Sequence, residues 1–128
     1  MRHLSFCLAP LMVLNASPAY ADSAHVGSEH IKGQWARDDG RSRVEISRCG
    51  DDWCAVNLWI KPGTKDEKAG DVLIMTLKPE GDKSLSGSAY DPQRKLTYSI
   101  RIKTGAEVMT TEGCFLGLFC RSVQWSRL

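Results

Sequence analysis

Residues 96–103 read Leu-Thr-Tyr-Ser-Ile-Arg-Ile-Lys, in which apolar and polar side chains alternate. Successive side chains of a β-strand point to opposite faces of the sheet, so the pattern predicts a strand with one face in the core and one in water. Residues 43–47, Arg-Val-Glu-Ile-Ser, repeat it. Because no segment shows the apolar stripe of a helix, these stretches predict an all-β fold.

Eight such runs follow one another, separated by turns such as Asp38-Asp39-Gly40 and Asp91-Pro92. Eight short strands joined mainly by hairpin-length turns predict a small antiparallel up-and-down barrel, with a β-sandwich as the alternative. The longer connection at residues 62–71 is rich in charge, and we interpret it as a solvated loop. The predicted strands are 31–37, 43–49, 53–61, 72–78, 84–90, 95–103, 106–113 and 118–126.

The first residues have the layout of a cleaved secretory signal peptide. Arg2 and His3 form a basic tip, an apolar run follows, and Ala19-Tyr20-Ala21 has the small residues of a cleavage site. The apolar run is shorter than the roughly 20 residues that a membrane-spanning helix needs. We therefore expect cleavage after Ala21 and a periplasmic or secreted product. The predicted parts are a signal peptide at 1–21, a flexible lead-in at 22–30 and a single barrel domain at 31–128.

Four cysteines, Cys49, Cys54, Cys114 and Cys120, lie beyond the predicted leader. An even number in an exported chain predicts two disulfides. Three pairings are possible, and we favour Cys49 with Cys54 and Cys114 with Cys120, because each pair flanks a short turn. A zinc site is the alternative, but neither pair has the tight spacing of zinc knuckles. Cys7 precedes most of the apolar run, which argues against a lipid anchor there.

Composition and motifs favour a protein without catalytic chemistry. Lys and Arg number 17 against 15 Asp and Glu, and the two signs are interleaved, unlike the basic face of a nucleic-acid-binding protein. Beyond the leader, the histidines are His25 and His30, both in the predicted lead-in. The acidic pairs 38–39 and 51–52 fall in turns, where adjacent side chains diverge. We therefore expect no enzyme activity, no catalytic residue, and no metal or other cofactor.

Gly33-Gln34-Trp35 on the first predicted strand is similar to the Gly-x-Trp of lipocalins, and the last strand ends in Trp125-Ser126-Arg127. In lipocalins, a basic side chain from the end of the barrel covers that tryptophan. The resemblance implies that Arg127 stacks on Trp35 beside Gly33 and closes the barrel floor. Arg121 has the same phase along the strand and is the alternative.

A longer series of motifs covers nearly all of the sequence beyond the predicted leader. This series resembles a bacterial family of small, exported, lipocalin-like proteins, domain-of-unknown-function family 2147. The chain departs from the family pattern at Ala55, where a glycine is usual, and in residues 62–71, which lack a longer Asn-Pro-Asp-type segment. The resemblance implies a barrel and export, and it implies no activity. The motifs are Gly33-x-Trp35, Val44-x-Ile46-x-x-Cys49, Trp53-Cys54, Gly87 with Tyr90-Asp91-Pro92, Tyr98, Gly113-Cys114, and Cys120-Arg121-Ser122-x-x-Trp125-Ser126-Arg127.

One hypothesis of function is the binding of a small apolar ligand inside the barrel. An eight-stranded barrel is either filled by side chains or holds one small ligand, and the number of large inward residues favours a filled or shallow interior. On the third strand, the alternation points Val56, Leu58 and Ile60 inward and Asn57 toward water. The candidate lining residues are Trp35, Leu58, Tyr98, Ile100, Arg121 and Trp125.

The other hypothesis is a protein-interaction module of the cell envelope. Residues 72–77 are apolar on both faces, and they form either an exposed edge or a second buried layer, where a partner could bind. Ser86-Gly87-Ser88 is similar to a loop of bacterial inhibitors of c-type lysozyme, although it falls within a predicted strand. Under either hypothesis, we expect a monomer with no transmembrane segment and no nucleic-acid partner.

Overall fold

The computed structural model describes Met12 and residues 29–128. The predicted signal peptide and residues 22–28 of the predicted lead-in lie outside the described residues, apart from Met12. Eight antiparallel strands are present, and each begins and ends within two residues of its predicted bounds. They are β1 (Gly33–Arg37), β2 (Ser42–Cys49), β3 (Asp52–Ile60), β4 (Val72–Pro79), β5 (Ser84–Asp91), β6 (Leu96–Thr104), β7 (Val108–Phe115) and β8 (Phe119–Arg127).

The strands close into a barrel in chain order, which confirms the predicted up-and-down topology. Each strand pairs with the next, and β8 returns to β1, with Trp35 opposite Arg127. This closing pair excludes the β-sandwich, because a sandwich leaves its two sheets unjoined. The described residues contain no helix with the length and apolar character needed to cross a membrane.

Large side chains fill one end of the barrel, which we call the floor. Trp35 and Trp53 are almost completely buried there, and the Trp35 indole N–H donates to the carbonyl of Ile31 at 2.9 Å. A guanidinium covers each ring from outside: Arg127 lies 4.2 Å from the Trp35 ring centre, and Arg48 lies 4.4 Å from that of Trp53. Two cation–π stacks therefore separate the apolar floor from water.

Arg127 also ties the segment before β1 to the barrel. Its guanidinium donates to the carbonyls of His30, Lys32 and Ala106 at 2.6, 2.9 and 2.9 Å. A Cβ at Gly33 would lie 2.9 Å from Nη1 of this guanidinium, and Gly33 has a φ of +128°, which side chains disfavour. The glycine of the Gly-x-Trp pattern therefore leaves the room that the arginine occupies.

Two disulfides join neighbouring strands, with the pairing favoured from the sequence. Cys49 and Cys54 join β2 to β3 beside the floor. Cys114 and Cys120 join β7 to β8 at the opposite, open end. Both close short loops, so each pins one hairpin instead of linking distant parts of the chain.

The predicted inward phase of β3 is wrong over most of the strand. Pairing with β2 shifts between Arg43 and Val44, and this β-bulge leaves Leu58 without a partner. Before the bulge, the inward phase is set by buried Trp53 and continues to Asn57, which lines the interior. Leu58 is instead 44% exposed and lies outside the cavity. A single extra residue exchanges the two faces of a strand, and alternation alone does not reveal it.

Residues 72–77 do not form an exposed edge. β4 pairs with β3 on one side and with β5 on the other. Met75 is buried in the interior, whereas Ile74 lies opposite Cys54 and Tyr90 on the outer face. The apolar outer residue therefore belongs to the wall of the barrel, since Ile74 and Met75 are paired on both sides.

Candidate functional site

The open end of the barrel leads into a cavity of about 390 Å³. An apolar cavity of about 150 Å³ holds a benzene molecule, and ligand pockets commonly measure about 300–1,000 Å³. Of the candidate lining residues, Tyr98, Ile100, Arg121 and Trp125 line this cavity. Trp35 lies beneath it in the floor, and Leu58 lies on the outer wall. The space is large enough for one small ligand.

The hollow interior differs from the filled or shallow barrel expected from the sequence. The largest fully buried side chains lie at the floor, and small residues occupy inward positions nearer the open end. Ala55 lines the cavity on β3, and Gly113 lines it on β7. A Cβ at Gly113 would lie 2.9 Å from the Tyr98 ring, so the glycine seats that ring against the wall. The number of large inward residues predicted a filled barrel, but this number does not show how unevenly they are distributed along the barrel axis.

The cavity wall is mostly apolar. Many of its polar groups bond to one another: the Trp125 indole N–H donates to Thr111 Oγ1 at 3.0 Å, and Arg37 and Arg94 hold the carboxylates of Glu67 and Asp91. Such a wall favours an apolar ligand, because burial removes apolar surface of both partners from water. Apolar lining residues include Ile46, Leu73, Met75, Ile100, Met109 and Val123.

Arg37 is the buried charge at the cavity mouth, with an exposed fraction of 8%. Its guanidinium donates to both carboxylate oxygens of Glu67, at 2.6 and 2.9 Å, and to both oxygens of Asp39, at 2.9 Å each. The hydrogen bond with Glu67 raises the pKa of Arg37, and the same bond lowers the pKa of Glu67. This network is therefore fully charged at neutral pH.

The loop between β3 and β4 brings Glu67 to the mouth. At the end of β3, the Asn57 N–H donates to the carbonyl of Asp71 at 2.9 Å, and the Asn57 carbonyl accepts from the N–H of Gly70 at 2.7 Å. The loop is mostly exposed, as its composition predicts, but these bonds and the Arg37 bridge hold it across part of the opening. Loop and barrel thus build the mouth together.

Arg121 enters the mouth from β8, where two other arginines, Arg37 and Arg94, are held in ion pairs. Arg94 donates to Asp91 at 2.7 Å, a hydrogen bond that raises the Arg94 pKa. Arg121 forms no ion pair with any residue of 29–128. Burial, followed by the charge of Asp91, raises the pKa of Tyr98, so its phenol is neutral at pH 7. Among the described residues, the mouth therefore offers the Arg121 guanidinium, without an ion pair, beside an apolar cavity.

A family model described as "Uncharacterized protein conserved in bacteria (DUF2147)" matches residues 33–127, which contain all eight strands. The chain belongs to the DUF2147 family. This match confirms the family resemblance that the motifs carry. No curated protein and no solved structure shows a significant match to the chain.

Two residues of the mouth of this DUF2147 barrel were missed in the sequence. Arg37 is in phase with Gly33 and Trp35, so extending the alternation along β1 would have placed it inward. Glu67 gives no such signal, because it lies in an irregular loop, 30 positions from its partner. A long-range ion pair of this kind follows from closure of the barrel and not from a local pattern.

The acidic pairs and the Ser-Gly-Ser motif noted in the sequence have structural contacts in this DUF2147 barrel. Within residues 29–128, no three His, Cys, Asp or Glu side chains are placed to hold a metal ion. Asp39 accepts from the N–H of Arg41 at 2.8 Å, and Asp52 accepts from Thr76 at 2.9 Å, so both acidic pairs of the sequence supply structural contacts. Ser86-Gly87-Ser88 lies between β4 and β6 as part of the wall.

We expect the bridge to Glu67 to stabilise the barrel at neutral pH and to fail in acid. The folded pKa of Glu67 lies below its ordinary value of 4.5, so its contribution is complete above 4.5 and is lost as the pH falls through the folded value. At pH 7, Glu67→Gln should lower the free energy of unfolding by about 1–2 kcal/mol. Chemical denaturation of both proteins at pH 7 and at successively lower pH below 4.5 should show this difference shrink as the pH falls. A difference that stays constant with pH would contradict the assignment.

Proposed function

We propose that this protein is an exported binding protein that holds one small amphipathic ligand in its barrel. The main support for this proposal is the cavity of about 390 Å³, which is closed at the floor by two tryptophan–arginine stacks and open at the mouth. The apolar part of the ligand would lie against the wall, and an anionic group would lie at Arg121. This arrangement would satisfy the guanidinium without placing a charge inside the barrel.

The preference for an anionic group follows from how the charges at the mouth are used. The carboxylates of Glu67 and Asp39 are held by Arg37, and Asp91 is held by Arg94. At these three carboxylates, a cationic ligand would have to compete with the bound guanidinium groups. Asp71, which also lines the cavity, accepts from the N–H of Lys68 at 3.1 Å. A carboxylate or phosphate could bind Arg121, which forms no ion pair within residues 29–128, and would gain charge-assisted hydrogen bonds.

Binding without catalysis is part of the proposal. The cavity lining among the described residues contains no histidine, serine or cysteine that could act as a nucleophile or a general base near neutral pH. The leader pattern and the two disulfides support export to an oxidising compartment, the periplasm or the medium. The mass of the protein recovered from that compartment tests cleavage after Ala21.

A titration with decanoate, an apolar chain with a carboxylate, tests the proposed binding. Trp125 lines the cavity, so occupancy should change the tryptophan fluorescence in a saturable manner with one site per chain. A fluorescence change that rises linearly with the decanoate concentration would contradict a ligand in the cavity. So would the absence of both a fluorescence change and a heat of binding in calorimetry.

Replacing Arg121 should weaken decanoate binding more than binding of decanol, its uncharged counterpart. We expect Arg121→Gln to raise the Kd for decanoate about tenfold, which corresponds to the loss of about 1.4 kcal/mol from a charge-assisted hydrogen bond. Arg121→Lys keeps the positive charge, so it should retain part of the affinity for decanoate that Arg121→Gln loses. The Kd for decanol should stay unchanged, and an equal loss for both ligands would show that Arg121 acts only through packing.

A further inference from the structure

The hairpin between β7 and β8 carries an exposed apolar tip, residues 115–119, Phe-Leu-Gly-Leu-Phe. Leu116, Leu118 and Phe119 are 72%, 80% and 70% exposed. The Cys114–Cys120 disulfide closes the base of this hairpin. Large apolar side chains gathered at one projecting point commonly mark a surface that contacts a partner or a membrane.

The turn in the apolar tip places a leucine, Leu116, in a left-handed backbone conformation that leucine disfavours. The Leu118 N–H donates to the carbonyl of Phe115 at 3.2 Å, and the two central residues, Leu116 and Gly117, have φ values of +54° and +66°. Hairpin turns of this left-handed kind strongly favour Asn-Gly or Asp-Gly. A leucine at the first central position strains the backbone, and its exposed side chain gains no packing within the described barrel. The apolar residue is therefore explained better by a contact outside the chain.

The apolar tip lies at the same end of the barrel as the cavity mouth. Phe115 and Phe119 belong to both, since they also line the cavity. Lys95, in the β5–β6 turn of the same rim, and Arg121, just after the tip on β8, are exposed and form no ion pair within residues 29–128. The open end therefore combines a protruding apolar point with unpaired positive charge.

We propose that the apolar tip inserts into the interfacial layer of a lipid bilayer that contains anionic lipids. The apolar tip is short and convex, and lipids can surround such a shape. A stable protein interface needs a larger surface, about 800 Å² on each partner. The basic side chains at the rim complement anionic headgroups. Docked in this way, the mouth faces the bilayer. This inference does not require the proposed ligand, because the exposed apolar tip and Lys95 carry it, and Arg121 is the one residue that both proposals use.

Leu116→Asn separates this contact from folding, because asparagine suits the left-handed turn. The purified protein and this variant are floated with vesicles of phosphatidylethanolamine and phosphatidylglycerol. We expect the wild type to float and the variant to bind about tenfold less, with an equal or higher melting temperature. Val108→Ser is the matched control, because Val108 is 45% exposed near the floor, and it should bind as the wild type does.

Results of two kinds would overturn the membrane contact. One is a wild-type protein that does not float, or a Leu116→Asn variant that floats equally well. The other is self-association of the wild type in analytical ultracentrifugation that Leu116→Asn abolishes, because the apolar tip would then be a contact between two copies of the chain.

Discussion

Trp35→Ala should lower the free energy of unfolding by about 3–5 kcal/mol, the usual cost of removing a fully buried tryptophan. Trp35 has no exposed surface, supports the guanidinium of Arg127 and donates to the carbonyl of Ile31. Its removal leaves a void in the floor and exposes the underside of the Arg127 stack. Urea denaturation followed by far-ultraviolet circular dichroism measures this loss.

Trp59→Ala provides the matched control for the floor. Trp59 also lies beneath an arginine, with Arg43 5.4 Å from its ring centre, but it is 39% exposed on the outer wall. We expect its replacement to cost less than about 1 kcal/mol. Equal costs for the two tryptophans would contradict the view that the floor carries a large part of the stability.

Ala55→Phe should abolish most of the ligand binding while the barrel remains folded. Ala55 lines the cavity, and a phenyl ring there would occupy space that the decanoate chain needs. Exclusion of three methylene groups from the wall, at about 0.8 kcal/mol each, corresponds to a rise of about fiftyfold in Kd. Calorimetric titration of the variant with decanoate measures the change.

Ala36→Phe is the control for this substitution. Ala36 lies between inward-facing Trp35 and Arg37 on β1, so its side chain points to the outer face. The added ring would therefore leave the cavity unchanged, and decanoate should bind this variant as it binds the wild type. If both variants lose affinity equally, or neither does, decanoate binds somewhere other than the barrel interior.

The sequence predicts the barrel well because local patterns determine most of it. Alternation identifies the strands, and turn residues separate them. The Gly-x-Trp pattern led to the pairing of Trp35 with Arg127, since the glycine, the ring and the guanidinium occupy one space. The inward residues of β3 were predicted wrongly because of the bulge at Leu58. The extra residue is itself apolar, so the sequence of β3 does not reveal it.

The candidate site was predicted only in part. Whether the barrel contains a cavity depends on where the large and small inward side chains lie along its axis. Tyr98, Ile100 and Trp125 follow from phase alone. The cavity itself depends on small inward residues of separate strands, such as Ala55 on β3 and Gly113 on β7, which no single strand reveals. The same is true of the bridge from Arg37 to Glu67, which forms only once the loop folds across the opening.

A native mass spectrum of the protein with excess decanoate would show whether the barrel holds one small amphipathic ligand. We expect a folded species that carries a single decanoate, and the same spectrum of Ala55→Phe should show the protein without it. A wild-type spectrum with no adduct, or with several adducts that persist in Ala55→Phe, would contradict a binding site inside the barrel.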